Sequence, residues 1–121
     1  MRVFAKRSGD SGHTWSTPIL LSRVGYQTDD VHVTSYGYAV DVVWKEAPPS
    51  DPYNIQIRYA RSIDGGFTYY TPIGVSTLGL TSMSPSVSHG PNNRVAVSWN
   101  DQDTTNTVSY THLTLPTILR V

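Results

Sequence analysis

The sequence predicts an all-β protein built from repeated, four-stranded antiparallel units. Apolar and polar residues alternate with a period of two in several short segments that are rich in β-branched and aromatic residues. No apolar stripe of useful length shows the period of about 3.6 residues that marks an amphipathic helix. Residues 7–22 also align with 61–76, a shift of 54 residues. A repeat of this length is typical of sheets stacked in series.

Four strands fill one repeat. The first two are predicted at 30–35 and 38–45, with a tight turn at Tyr36–Gly37 between them. A Pro-rich loop at 45–54 leads to the third strand at 54–62, and the fourth is predicted at 67–76. Such units are typical of β-propeller blades. The expected organisation of residues 1–107 is a half blade at 2–22, a full blade at 28–78 and a half blade at 83–106.

The repeat is strongest around two polar, turn-forming segments. RSGDSGHTWSTPILLS (7–22) lies over RSIDGGFTYYTPIGVS (61–76), and the identical pairs include Arg7/Arg61, Ser8/Ser62, Asp10/Asp64, Gly12/Gly66, Thr14/Thr68, Pro18/Pro72 and Ser22/Ser76. Trp15 meets Tyr69. A second alignment, of AVDVVWKE (39–46) with RVAVSWND (94–101), pairs Trp44 with Trp99 and Glu46 with Asp101.

The two polar segments are predicted to be structural turns. Their glycines tolerate positive φ, and their aspartates can accept hydrogen bonds from turn amides. The aromatic ring at the end is expected to fold under the sheet, which is worth about 2–3 kcal/mol. One aspartate per turn is too few for a calcium site. The structural set is Ser8, Asp10, Gly12, Thr14 and Trp15, with Ser62, Asp64, Gly66, Thr68 and Tyr69.

SGDSGHTW and SIDGGFTY resemble the Asp-box, S-x-D-x-G-x-T-W, of the sialidase-like BNR-repeat propellers. The first copy matches every fixed position, and the second has Tyr69 in place of Trp. The resemblance covers about residues 2–106. It implies a propeller of six blades when complete, and either exo-α-sialidase-like hydrolysis of glycans or glycan binding. The alternatives are a non-catalytic module for recognition or adhesion and a different Asp-box enzyme, such as a glucan hydrolase.

The expected ligand face is opposite the Asp-boxes. In an antiparallel unit, the loops at 22–30, 45–54, 76–84 and 100–106 lie at the other end of the strands. The resemblance implies arginines that bind a sugar carboxylate, an Asp acid/base and a Tyr nucleophile paired with Glu. The catalytic candidates are Arg23, Tyr26, Asp29 and Asp30, and the same face is predicted to hold Glu46, Asp51, Tyr53, Asp101 and Asp103. The family's F/Y-R-I-P motif is absent, so whether the chain is an enzyme stays open.

Several polar residues have an ordinary structural interpretation. Glu46 and Asp101 recur at one position of the repeat, which favours a structural role over a catalytic one. Arg58 and Arg61 are expected to cover the exposed face of a strand. The histidines show no metal-ligand spacing and are expected at exposed or edge positions; they are His13, His32, His89 and His112. Trp15, Trp44 and Trp99 are predicted core residues.

Composition limits the classes of partner. Nine Lys plus Arg balance nine Asp plus Glu, and without a basic patch nucleic acid is not expected as a partner. The absence of cysteine excludes disulfides and Cys-type zinc sites. No metal, cofactor or membrane span is predicted. The expected partners are glycans and further blades of the same chain, and the expected location is secreted or cell-surface, although 1–10 contain no signal-peptide core.

The segment at 108–121 departs from the repeat pattern. VSYTHLTLPT, residues 108–117, resembles the translation of a transposon-end sequencing adapter. We therefore expect native coding to end near Thr107 and the tail to be non-native. Comparison of the codons with the adapter sequence tests this interpretation.

Overall fold

The computed structural model describes residues 1–77, 81–92, 94–102 and 107–113, the last range by its backbone. Every regular element in these residues is a β-strand, which confirms the all-β prediction. The strands are β1 (Phe4–Ala5), β2 (Ile19–Leu20), β3 (Gln27–Tyr36), β4 (Ala39–Ala47), β5 (Gln56–Ser62), β6 (Ile73–Gly74), β7 (Thr81–His89), β8 (Val95–Gln102) and β9 (Thr107–Leu113). Among the described residues, no helix has the length and apolar character needed to cross a membrane.

The strands form three antiparallel sheets. The first sheet is β1–β2, the middle sheet is β3–β4–β5–β6, and the third is β7–β8–β9. Neighbours in sequence are neighbours in space, as expected for hairpin-connected strands. The fourth strand of the middle sheet is shorter than the predicted 67–76, because only Ile73 and Gly74 pair with β5. Closure of the sheets into a propeller remains a prediction.

The middle sheet is covered on both faces. Period-two alternation sends neighbouring residues of β4 to opposite faces, so Trp44 faces the first sheet and Val43 the third. One core joins the first and middle sheets through Val3, Leu21, Val42, Trp44 and Ala60. The other joins the middle and third sheets through Val43, Ile57, Tyr59, Val95, Val97 and Trp99. Of the three predicted core tryptophans, Trp44 and Trp99 are buried, at 0% and 4% exposure, whereas Trp15 is exposed.

The hairpins β1–β2 and β5–β6 have the same hydrogen bonds. The Leu21 amide donates to the Val3 carbonyl at 2.8 Å, and the equivalent bond from Val75 to Ile57 is 2.9 Å. The Val3 amide donates to Ser22 Oγ at 2.9 Å, and the Ile57 amide donates to Ser76 Oγ at 2.8 Å. The 54-residue repeat is therefore a repeat of structure as well as of sequence.

The first strand of the middle and third sheets carries the same bulge. Pairing shifts between Asp29 and His32 in β3, and between Met83 and Ser86 in β7. Asp30 and Ser84 have φ of 57° and 56° at these points. Short polar side chains tolerate this left-handed backbone better than β-branched ones. Asp30 is therefore the residue that adopts the left-handed backbone conformation at the β3 bulge.

The third sheet ends with β9, which pairs with β8 from Ala96–Leu113 to Gln102–Thr107. This pairing concerns the backbone and does not test the origin of the tail at 108–121, which stays a prediction. Residues 78–80, 93, 103–106 and 114–121 lie outside the described residues. Asp103, the middle of the loop predicted at 76–84, the end of the loop predicted at 100–106 and the end of the half blade predicted at 83–106 fall among them. The side chains of 102 and 107–113, including His112, also lie outside the described part of the chain.

Candidate functional site

The second Asp-box and the predicted ligand loops at 22–30 and 45–54 lie at opposite ends of the middle sheet. At one end Tyr36 pairs with Ala39, and the Gly65 amide donates to the Tyr38 carbonyl at 2.8 Å. The second box is therefore beside the β3–β4 turn. At the other end Gln27 pairs with Ala47, where the chain enters β3 and leaves β4. This separation follows from the antiparallel order and agrees with the sequence prediction.

Both Asp-boxes contain one hydrogen-bond network. In the first, Ser8 Oγ donates to Asp10 Oδ1 at 2.8 Å and accepts from the Gly12 amide at 2.8 Å. Asp10 accepts from the Thr14 amide at 2.8 Å and from Thr14 Oγ1 at 2.5 Å. The four corresponding distances in the second box, among Ser62, Asp64, Gly66 and Thr68, are 2.7, 2.9, 2.9 and 2.5 Å. The prediction that these aspartates accept turn amides is confirmed.

The glycine of each box allows this turn. Gly12 and Gly66 have φ of 88° and 91°, which L side chains rarely adopt. A Cβ on Gly12 would also lie 3.8 Å from Trp15, and one on Gly66 would lie 3.6 Å from the Tyr69 hydroxyl. The aromatic ring of each box therefore lies over its glycine.

The predicted burial of Trp15 is wrong, because its indole is 59% exposed. Tyr69, at the same position of the second box, packs against the core between the first and middle sheets. Arg7 of the preceding sheet also covers the second box, with Nε donating to the Gly65 carbonyl at 3.4 Å and its guanidinium 3.7 Å from the Phe67 ring centroid. Burial of the ring depends on a preceding sheet, and no described sheet precedes the first.

The hydrogen bonds hold both box carboxylates in the charged form. The pKa values of Asp10 and Asp64 are lowered to about 2, first by the threonine hydroxyls and then by the threonine amides. A lowered pKa in the folded state stabilises the fold above the ordinary value of 3.8, and this contribution is lost as the pH falls towards 2.

We expect the wild-type chain to lose stability between about pH 4 and pH 2 more steeply than an Asp10→Asn/Asp64→Asn variant. The reason is that the two carboxylates must take up protons in this window when their threonine bonds break. Urea midpoints measured at several pH values check this, with Asp51→Asn as a control at an exposed aspartate outside both boxes. Parallel pH curves for the wild type and the double variant would contradict it.

A buried ionic cluster joins the middle and third sheets. The sequence had predicted an exposed strand face for Arg61 and an exposed or edge position for His89. Arg61 is 4% exposed rather than covering an exposed face, and the His89 side chain is 2% exposed rather than at an open edge. Asp41 pairs with Arg61 across β4 and β5, and both face the third sheet. Arg61 Nε donates to Asp41 Oδ1 at 2.8 Å, and Arg61 Nη2 lies 2.6 Å from His89 Nε2.

Tyr59 and Tyr36 complete the cluster. The Tyr59 hydroxyl donates to Asp41 Oδ1 at 2.5 Å, and burial followed by this bond raises the pKa of Tyr59 well above its usual value. The Tyr36 ring stacks on His89 with centroids 5.3 Å apart. The polar groups of Asp41, Tyr59, Arg61 and His89 therefore stabilise the contact between the middle and third sheets, far from the expected ligand end.

Glu46 lies inside the fold rather than in an open loop, as does Asp101. Trp44 Nε1 donates to Glu46 Oε1 at 3.2 Å, and Trp99 Nε1 donates to Asp101 Oδ1 at 2.9 Å. The Asp101 carboxylate also accepts from Ser82 Oγ at 2.6 Å. Because both acids bind the indole two residues before them, their recurrence has a structural cause.

Two arginines surround Glu46. Arg23 donates from its amide to Oε1 at 3.1 Å and from Nε to Oε2 at 2.6 Å. Arg58 is not on an exposed face: its side chain is 14% exposed, with Nε 3.7 Å from Oε2, and burial followed by Arg23 lowers its pKa. The Arg23 guanidinium lies 4.0 Å from the centroid of the Tyr26 ring. The structure thus brings together the predicted candidates Arg23, Tyr26 and Glu46.

A cleft of about 340 Å³ opens at the expected ligand end. Its lining residues are Met1, Gln27, Thr28, Asp29, Lys45, Glu46, Ala47, Pro52 and Ile55. Asp29 and Glu46 were predicted on this face, whereas Gln27 and Lys45, although inside the predicted loops, were not candidates. Lys45 faces Asp29 directly across β3 and β4. The sequence signal that could have identified Lys45 is its position where the second predicted strand meets the Pro-rich loop.

An open depression of about 540 Å³ adjoins this cleft, since Met1 and Gln27 line both. Tyr26 and Gly25 line the depression, together with Arg2, Phe4 and Pro49. The cleft and the depression together are called the terminal groove below. It runs from Tyr26 to Asp29 across the entry of β3.

The described candidates Asp30, Asp51 and Tyr53 are not among the residues that line this groove. Asp30 lies in the β3 bulge, where its Oδ1 is 3.2 Å from His32 Nε2. Asp51 and Tyr53 are exposed in the loop after β4, and the Tyr53 carbonyl accepts a 2.6 Å bond from Thr81 Oγ1. No group of three or more metal-ligating side chains occurs in the part of the chain that the structure describes.

Comparisons with protein-family models, curated proteins and solved structures found no match to this chain.

Proposed function

We propose that the chain forms part of a sialidase-like Asp-box propeller and binds glycans in the terminal groove. The observation that carries this proposal is the groove itself, which lies at the end of the middle sheet opposite two hydrogen-bonded boxes. The repeated box network in successive, face-to-face sheets supports the propeller architecture. We also propose that the whole molecule is an exported or cell-surface protein.

The lining of the groove suits a neutral or weakly charged sugar. Gln27 and Thr28 offer amide and hydroxyl groups, and Asp29 and Lys45 add a paired acceptor and donor. Tyr26 provides a ring at the other end of the groove. A few convergent polar groups in a mostly apolar concavity are the usual arrangement of a small-molecule site. We therefore place recognition of a saccharide ahead of catalysis.

Hydrolysis of sialic acid is the second candidate function. The contact of Arg23 with both Tyr26 and Glu46 brings together the three residue types that the resemblance implies. Against this, Glu46 is held by Trp44 as Asp101 is held by Trp99. The shared structural role of these acids favours a binding module.

We expect the chain to retain a subset of glycans on an array, and Asp29→Ala or Lys45→Ala to weaken that binding roughly tenfold each, as expected for loss of one hydrogen bond. Lys6→Ala removes a lysine outside the groove and is the matched control. Titration calorimetry with the retained glycan measures the change.

Release of sialic acid from sialyllactose, abolished by Tyr26→Phe, would establish hydrolysis in place of simple binding. Binding that is equally strong in the Asp29, Lys45 and Lys6 variants would reject the groove as the site. A folded chain that binds no glycan would reject the proposal.

A further inference from the structure

The outer edge of β1 has no strand partner among the described residues. The first sheet contains only β1 and β2, each of two residues. An isolated two-stranded hairpin is marginally stable in water, and an unpaired edge is a template for another strand. Phe4 of β1 and Leu20 of β2 are 52% and 38% exposed. This hairpin is therefore an incomplete sheet with an apolar face.

The repeat shows which kind of strand fits this edge. The hairpin β1–β2 has the hydrogen bonds of β5–β6, and in the middle sheet the edge of β5 pairs with β4 from Val40–Ser62 to Glu46–Gln56. Residues 94–101, largely in β8, repeat the sequence at 39–46, and the Trp99–Asp101 bond repeats the Trp44–Glu46 bond. β8 is the described strand that matches β4, so it is the natural partner of β1.

This pairing must join two copies of the chain. The first and third sheets pack on opposite faces of the middle sheet, so β1 and β8 of one chain are separated by that sheet. A second copy can bring its β1–β2 hairpin beside β8. The resulting sheet, β7–β8 with β1–β2 of the second copy, has the strand order of the middle sheet.

In the isolated chain β9 occupies the position that β1 would take on β8. Its register places Ser109 and Thr111 opposite Asn100 and Ser98. The equivalent positions of the middle sheet hold Ile57 and Tyr59, both in the core. β1 would place Val3 and Ala5 there, which are apolar. By composition β1 fits this position better than β9.

We propose that copies of this chain associate head to tail, with the β1–β2 hairpin of one copy replacing β9 and completing the β7–β8 sheet of the next. The contact uses different surfaces on the two copies, so it generates a closed ring or a filament. Each copy then contributes one complete sheet and two half sheets. Each half sheet is completed by a half sheet of a neighbouring copy. The inference depends on the repeat and the free edge and is independent of glycan binding.

Disulfide trapping in the full chain tests the register. The repeat pairs Ala5 with Ser98, by analogy with Tyr59 and Val43, and directly opposed residues have Cβ atoms about 4.5–5.5 Å apart. The chain contains no cysteine, so Ala5→Cys/Ser98→Cys introduces the only two thiols. We expect a ladder of disulfide-linked oligomers on a non-reducing gel. Thr111→Pro, which removes an amide from β9, should increase the yield.

The control Ala5→Cys/Val97→Cys places the second thiol on the opposite face of β8 and should remain uncrosslinked. Light scattering of the unmodified chain gives an independent measurement, in which masses at multiples of 13.4 kDa are expected to increase with concentration. A monomer at every concentration would overturn the proposal, as would equal crosslinking in both double variants. A dimer from Ala5→Cys alone would show β1–β1 pairing and would also overturn it.

Discussion

Replacing Asp41 by alanine is expected to lower the free energy of unfolding by about 3–5 kcal/mol. Asp41 is completely buried and accepts bonds from Arg61 and Tyr59, and its Oδ2 lies 3.5 Å from His89 Nε2. Without the carboxylate, the Arg61 guanidinium loses its ion pair with Asp41 and stays buried between two sheets. Since a small domain has a net stability of about 5–15 kcal/mol, this change removes a large part of it.

Urea unfolding followed by far-UV circular dichroism measures this loss. The double variant Asp41→Leu/Arg61→Met is the matched control, because replacing a whole buried ion pair with apolar groups of similar size is often neutral. We expect the double variant to lie closer to the wild type than Asp41→Ala does. A single variant within about 0.5 kcal/mol of the wild type would show that the cluster does not stabilise the sheet contact.

Trp44→Ala is the second change with a large expected effect, again a loss of about 3–5 kcal/mol. The indole is fully buried between the first and middle sheets, and its Nε1 donates to the buried Glu46. Truncation leaves a cavity and removes one hydrogen bond from a carboxylate that has no access to solvent. The neighbouring hairpin, which has few other contacts, should detach first.

Trp15→Ala is the control of the same residue type. Because Trp15 is 59% exposed and lies over Gly12, its truncation should change the free energy of unfolding by at most about 1 kcal/mol. Chemical denaturation of the two variants side by side provides the comparison. Equal losses at both positions would contradict the burial that the structure assigns to them.

The strands and the box turns could be predicted because their signals are local. Val40, Val42 and Trp44 recur at every second position and mark β4, and Gly12 and Gly66 mark turns that need positive φ. The shift of 54 residues then transferred each assignment from one repeat to the next. The position of the terminal groove opposite the boxes followed from antiparallel connectivity alone.

The fates of Arg61, His89, Glu46 and Trp15 could not be read in the same way. Alternation was interpreted as one buried and one solvated face, which is correct for a sheet covered on one side. The middle sheet is covered on both sides, so its face opposite Trp44 forms the second core, in which the Asp41–Arg61 pair is buried beside Tyr59. Trp15 holds the same position in its box as Tyr69, but Tyr69 packs against the core between the first and middle sheets and Trp15 is exposed.

The sequence by itself determined the β-strands, the repeated hairpins and the hydrogen-bonded Asp-box turns, since each depends on residues within a few positions of one another. The tertiary structure decided which polar side chains are buried, which residues line the terminal groove and which strand edge stays open. These properties arise from contacts between sheets, and such contacts join residues that no local pattern relates. Asp41 and His89 meet only because β4 and β7 pack together.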